Sequence, residues 1–161
     1  MMKQKFLNFI TKLQDEITLS IENLDGEKKF NEDIWKRVEG GGGKTRILEN
    51  GKIIEKAGVN ISNVYGNLPK NLEDYFKVKN SKFFACGLSL VIHPKNPMVP
   101  AVHGNWRYFE LYSLNGELRD RWFGGGQDLT PFYLKEEDAV HFHKVCKSVC
   151  DKYSPNFYKK Y

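Results

Sequence analysis

Phe6, Ile10, Leu13, Ile17, Ile21 and Leu24 recur at spacings of four and three, the apolar stripe of an amphipathic helix whose other face carries Lys3, Lys12, Asp15 and Glu16. Leu24-Asp25-Gly26 ends it, with Gly26 suited to a left-handed cap. The pattern then shortens. Phe30–Val38 reads as a strand running into Gly40–Gly43, and Thr45–Glu49 and Lys52–Glu55 flank Asn50-Gly51, the favoured pair for a two-residue hairpin turn. Val59–Tyr65 alternates strictly, with Val59, Ile61, Asn63 and Tyr65 on one side and Asn60, Ser62 and Val64 on the other. Pro69 and Lys70–Asp74 form a loop or a short helical turn. Phe84–Ile92 and Ala101–Tyr112 then read as strands around a stiff loop punctuated by Pro94, Pro97 and Pro100. Gly116 turns the chain, and Arg121–Phe123 leads into a second glycine run, Gly124–Gly126, read as a turn before Asp128. Glu136–Lys152 is helical: acidic residues occupy its first turn, Phe142, Val145, Cys146 and Val149 make its buried stripe, and Pro155 ends it. Antiparallel strands with helices on either side of them in the chain predict an α+β fold.

With 161 residues, 40% of them hydrophobic and 14% aromatic, the chain suffices for one core, and residues 1–161 read as a single domain. The excess of 25 basic over 20 acidic residues, +5, favours anionic partners. The lysines occur as short pairs or scattered among acids, with no compact basic block, so no nucleic-acid partner is expected. Three cysteines, Cys86, Cys146 and Cys150, are too few and odd in number for a disulfide framework; they indicate a reducing compartment, and the expected location is cytoplasmic. The first residues lack the apolar core of a signal peptide and the arginines of a mitochondrial transit peptide, and no stretch is apolar enough to span a membrane.

Candidate chemistry concentrates in Ala85–Tyr112. If its two runs are strands, Ser89, Val91 and His93 share one side of the first, and His103, Asn105 and Arg107 one side of the second. Such a polar stripe is either the solvated face of a half-buried sheet or a site, and alternation alone does not choose. The glycines before Asp128 either bring backbone close to a flat ligand or build a turn in which the carboxylate bonds its own backbone. Gly43-Lys44-Thr45 misses the phosphate-loop pattern, because Val38 stands where its first glycine belongs. His143, Cys146 and Cys150 lack the four-ligand, paired spacing of a zinc site, and the cysteines read as buried structural residues. His141 and His143 lie about 200° apart around a helix, so at most one can face a cleft.

The segments WKRVEGGGGKTRILENGKIIEKAGVNISNVYGNLP, FFACGLSLVIHPKNPMVPAVHGNWRYFE and WFGGGQDLTPFYLKEEDAVHFH resemble, in order and spacing, successive signatures of the oxygen-dependent coproporphyrinogen III oxidases, a match from about Trp35 to Tyr153. The resemblance implies an antiparallel sheet flanked by helices on both faces, a homodimer, and an oxidoreductase of heme and porphyrin biosynthesis. The implied reaction is oxidative decarboxylation of two propionates of coproporphyrinogen III to vinyl groups, giving protoporphyrinogen IX with release of carbon dioxide and hydrogen peroxide. Dioxygen is the co-substrate and no organic cofactor is required, since the electron-rich pyrrole itself reacts with oxygen. By the same resemblance His103 is the proton donor, Asp128 the acceptor of pyrrole N–H groups, and Arg107 a bidentate clamp for a propionate. Ser89, Asn105 and Trp106 join Arg107 in the substrate-binding set, although alternation turns Trp106 away from His103 and Arg107. His93, His103 and His143 match the histidines suggested as ligands of a divalent metal. Gly104 and Trp106 depart from the residues more usual in this segment. About the first half of the family's sequence is matched, so the sheet is expected to be incomplete and the chain, as a fragment or one half of a split gene, weakly active or inactive alone. A non-catalytic tetrapyrrole-binding remnant is the alternative.

Overall fold

A computed structural model describes residues 2–161. Ten elements follow in chain order: α1 (Met2–Asp25), β1 (Asn31–Lys36), β2 (Gly41–Glu49), β3 (Ile54–Asn67), α2 (Lys70–Phe76), β4 (Lys82–Pro94), β5 (Ala101–Tyr112), β6 (Leu118–Thr130), α3 (Glu136–Asp151) and α4 (Phe157–Lys160). The six strands form one antiparallel sheet in the order β1-β2-β3-β4-β5-β6, so each pairs with its chain neighbour. The α+β architecture with helices on both faces is present. α1 covers one face, and the short α2 lies on the other, where Phe76 meets Phe109 and Trp122 at ring distances of 6.0 and 5.4 Å.

The core sits between α1 and the sheet. Ile10 and Ile21 of the helix pack with Val59 and Ile61 of β3, Leu88 and Leu90 of β4 and Tyr108 of β5. These strand residues alternate in sequence, so the opposite face receives Asn60, Ser62, Gly87, Ser89, Asn105 and Arg107. Gln14 fixes the helix to the sheet through bonds from Nε2 to the Lys44 and Val59 carbonyls, at 3.0 and 2.8 Å. Arg46 adds an ion pair to Asp15 at 2.7 Å.

Several expectations need correction. The hairpin at Asn50-Gly51 exists, but Glu49 pairs with Lys56 and the connection is longer than two residues. The Asp25 carboxylate, at the end of α1, accepts bonds from the Lys52, Ile53 and Ile54 amides at 2.8, 3.1 and 3.3 Å and moulds the wider loop. The glycine run at 124–126 is not a turn. It lies inside β6, where Arg107 pairs with Gly124, Asn105 with Gly126 and His103 with Asp128, because ladder bonds to β5 outweigh the loose backbone preference of glycine. Gly41–Gly43 likewise enter β2, and Gly43 permits a close approach: a Cβ there would stand 2.3 Å from the Trp35 ring. Finally, the apolar stripe of α3 is not buried, with Val145 and Val149 47% and 51% exposed. Of the cysteines only Cys86 is buried, its thiol pushed up to about 11 by burial and then by Glu110.

Candidate active site

The open face of the sheet brings the polar stripe into two adjoining cavities. The larger, about 580 Å³, is lined by Trp35, Thr45, Asn60, Ser62, Ser89 and Arg107, with the aromatic rings at one end. The second, about 420 Å³, is lined by Ser89, His103, Asn105, Arg107, Gly126 and Asp128. Ser89 and Arg107 belong to both, so one groove runs across β2 to β6.

Cross-strand register arranges this groove in rows. Thr45 pairs with Asn60, Asn60 with Ser89, Ser89 with Asn105 and Asn105 with Gly126. One step along β5, Arg107 lies between Gly87 and Gly124. A Cβ at Gly124 or Gly126 would meet no atom within 4 Å, so these strand glycines leave a bare floor beside Arg107 and Asn105. The aromatic end is a stack: Phe109 lies on Trp122 with centroids 4.3 Å apart and planes inclined by 26°. A flat apolar body fits such a floor and wall, and the polar side chains stand at its rim.

In the next row, Val91 pairs with His103 and His103 with Asp128. His103 Nδ1 lies 2.7 Å from Asp128 Oδ1, and the Thr130 hydroxyl donates to the same oxygen at 2.9 Å. His93 Nε2 approaches His103 Nε2 at 3.1 Å. The bond from His103, then that from Thr130, holds the Asp128 carboxyl below its ordinary 3.8. Ionised Asp128 accepts from Nδ1–H of His103, and the Nε2 atoms of His103 and His93 face each other at a distance that one shared proton bridges. His93, His103, Asp128 and Thr130 thus form a continuous chain of proton-carrying groups at the end of the groove.

Of the predicted residues, Ser89, His93, His103, Asn105, Arg107 and Asp128 come together on one face. Two do not join them. Trp106 pairs with Leu88 and packs against the core beneath α1, because it is one position out of phase with Asn105 and Arg107. His143 lies on α3, with Nδ1 2.9 Å from the Tyr158 hydroxyl. Among the described residues no three His, Cys, Asp or Glu side chains converge as a metal site. The His93, His103 and His143 set therefore does not assemble, and both ring nitrogens of His103 are engaged. Trp35, Thr45, Asn60 and Ser62 were missed as site residues. The alternation in Val59–Tyr65 groups Asn60 with Ser62, but only the pairing of β3 with β4 shows that they share a groove with Ser89.

The coproporphyrinogen III oxidase family model matches residues 5–161. The chain is 45% identical over 171 residues to coproporphyrinogen-III oxidase 1, chloroplastic, of Arabidopsis thaliana, covering 99% of this chain and 44% of that protein. It is 46% identical over 169 residues to the mitochondrial oxygen-dependent enzyme of Rattus norvegicus, covering 99% and 38%. With the oxygen-dependent enzyme of Prochlorococcus marinus (strain MIT 9515) it shares 48% identity over 152 residues, covering 93% and 43%. The chain thus spans less than half the length of these relatives. The chloroplastic and mitochondrial names correct the cytoplasmic expectation. Sparse unpaired cysteines indicate a reducing environment, and that does not separate cytosol from the interior of an organelle. Among the described residues no helix is long and apolar enough to cross a membrane.

Proposed function

The chain belongs to the coproporphyrinogen III oxidase family, and from that membership we propose that it forms, as one domain, the N-terminal part of an oxygen-dependent coproporphyrinogen III oxidase. The observation that carries this reading is the juxtaposition, on one face, of the Asp128–His103–His93 chain with Arg107 and a glycine floor. Coproporphyrinogen III is a tetrapyrrole with four carboxylates, and this groove offers an apolar bed with a guanidinium at its edge. Arg107 clamps a propionate; Arg37 and Arg46 are ion-paired, whereas Arg107 meets no carboxylate among the described residues. Ser89 and Asn105, in the adjoining row, hydrogen-bond the same arm.

Each vinyl group forms with this balance: the propionate loses carbon dioxide and a hydride equivalent, and dioxygen with one proton takes up the hydride as hydrogen peroxide. Dioxygen, the co-substrate, accepts the two electrons, so no organic cofactor enters. His103 is placed to manage the proton, with Asp128 fixing its tautomer and His93 relaying on the other side. Asp128, ionised, also stabilises positive charge that develops on the pyrrole as electrons leave. His93, His103 and His143 do not converge among the described residues, and no step is assigned to a metal. Assembly of the complete enzyme as a homodimer belongs to the same reading.

The test has two parts. Purified chain, titrated with coproporphyrinogen III under anaerobic conditions, should bind it, and Arg107→Ala should weaken binding by about tenfold or more. Oxygen-dependent vinyl formation should be negligible for the chain alone and appear when the remainder of a relative is supplied as a separate polypeptide. Binding without turnover in that reconstitution favours a non-catalytic tetrapyrrole binder, and failure to bind at all ends the proposal.

A further inference from the structure

The groove has two ends, and Arg107 serves only one. Two and three strands away, on β3 and β2, Asn60, Ser62 and Thr45 line the same cavity, whose wall contains no other charged side chain than Arg107. The Trp35 indole Nε1–H donates to Thr45 Oγ1 at 3.3 Å, which occupies the oxygen as acceptor and leaves the Thr45 hydroxyl proton free to point outward. Asn60 Oδ1 is buried with no hydrogen-bond partner, so its carboxamide is turned oxygen inward. Its nitrogen lies on the side of Gly58, where a Cβ would stand 3.6 Å from Nδ2. Asn60 thus lines the cavity while its own acceptor is orphaned and bears a burial cost, which leaves the two amide protons as the groups it has to offer a ligand.

We propose that Asn60 and Thr45, with the Ser62 hydroxyl beside them, form a second carboxylate-binding pole built from neutral donors, which anchors an acid arm of the tetrapyrrole other than the one held by Arg107. This rests on the tetrapyrrole reading above and adds to it a specificity-determining element that positions the macrocycle. Asn60 and Asn105 are separated by two strand spacings, about 10 Å, a scale on which two acid arms of one macrocycle lie apart. Neutral donors suit an anchoring role. They hold a carboxylate by directed bonds without the strong attraction of a guanidinium, so the arm at this pole is located while the arm at Arg107 is gripped beside His103.

The experiment uses coproporphyrin III, the stable oxidised macrocycle with the same four propionates, as a fluorescent probe for titrating the chain. Asn60→Leu should weaken binding by about tenfold and raise the thermal midpoint of the ligand-free chain, because it removes an unpartnered buried acceptor. Asn60→Asp should weaken binding further than Asn60→Leu, since it sets a like charge against the arm. Binding by Asn60→Asp equal to or tighter than the parent would mean that the pole meets a donor, and that overturns the inference. Unchanged binding by Asn60→Leu overturns it as well. If Arg107→Ala loses affinity while both Asn60 variants keep it, this pole fails and the tetrapyrrole reading stands; if the parent does not bind the probe at all, both fall.

Discussion

Asp25 has a carboxylate that is almost fully buried and carries a loop. Burial pushes its pKa up, but amides of Lys52, Ile53, Ile54 and Lys28 donate to it and more than offset that, leaving it lowered from 3.8 to about 2. A carboxyl with a depressed folded value adds stability that is complete above 3.8 and is lost as pH falls through about 2. Asp25→Asn should therefore lower the stability of the chain above pH 4 and flatten its dependence between those two values, as followed by denaturant titration across that range. Gly51 is tied to the same carboxylate, since a Cβ there would stand 2.1 Å from Asp25 Oδ1. Gly51→Ala should cost about 1–3 kcal/mol in unfolding free energy, and a cost under half of that would show that the loop shifts freely. At the groove, Asp128→Asn removes the charge that sets the His103 tautomer. In a reconstituted enzyme it should lower kcat for vinyl formation by roughly 100-fold and leave the unfolding midpoint nearly unchanged.

Among the elements, α1 and β3 to β5 depend on one another. Ile10 is fully buried against the sheet, and Ile10→Ala should cost about 2–5 kcal/mol, read from urea unfolding with an unchanged m-value. β3 to β5 and α1 were legible in sequence because each buries one face and so carries a clean period. Ala101–Tyr112 was matched to the residue, and α1 within its stripe. The glycine segments were not legible, because glycine has no side chain to show a face; Gly124–Gly126 became strand through pairing with residues about twenty positions earlier. Asn50-Gly51 announced a hairpin truthfully, yet its shape was set by Asp25, which lies outside any local window. The stripe on α3 was read correctly as a pattern, but a stripe does not say what covers it. In the site, the residues on β4 and β5 could be found from alternation and resemblance, whereas Thr45 and Asn60 required knowledge of strand order.

On the scale of the whole molecule, β6 and α3 both leave large apolar side chains exposed. Phe123 of β6 is 57% exposed, and Val140, Val145 and Val149 of α3 stand 48%, 47% and 51% exposed. β6 is also an edge strand, thirteen residues long with a free row of backbone groups. Val145→Lys combined with Val149→Lys should reduce light scattering by the isolated chain at high concentration while its thermal midpoint stays within a few degrees; unchanged scattering would place the cause of association elsewhere. The transverse row from Thr45 to Gly126 has one more consequence. It exists only when four strand pairings are all in phase, since slipping one strand by a single residue would replace its polar member with a core residue such as Val59, Leu88 or Trp106. Ligand affinity is therefore a proofreading signal for the sheet: a misregistered chain can keep its strand content and still be recognised, by its silence toward a tetrapyrrole, as wrongly assembled.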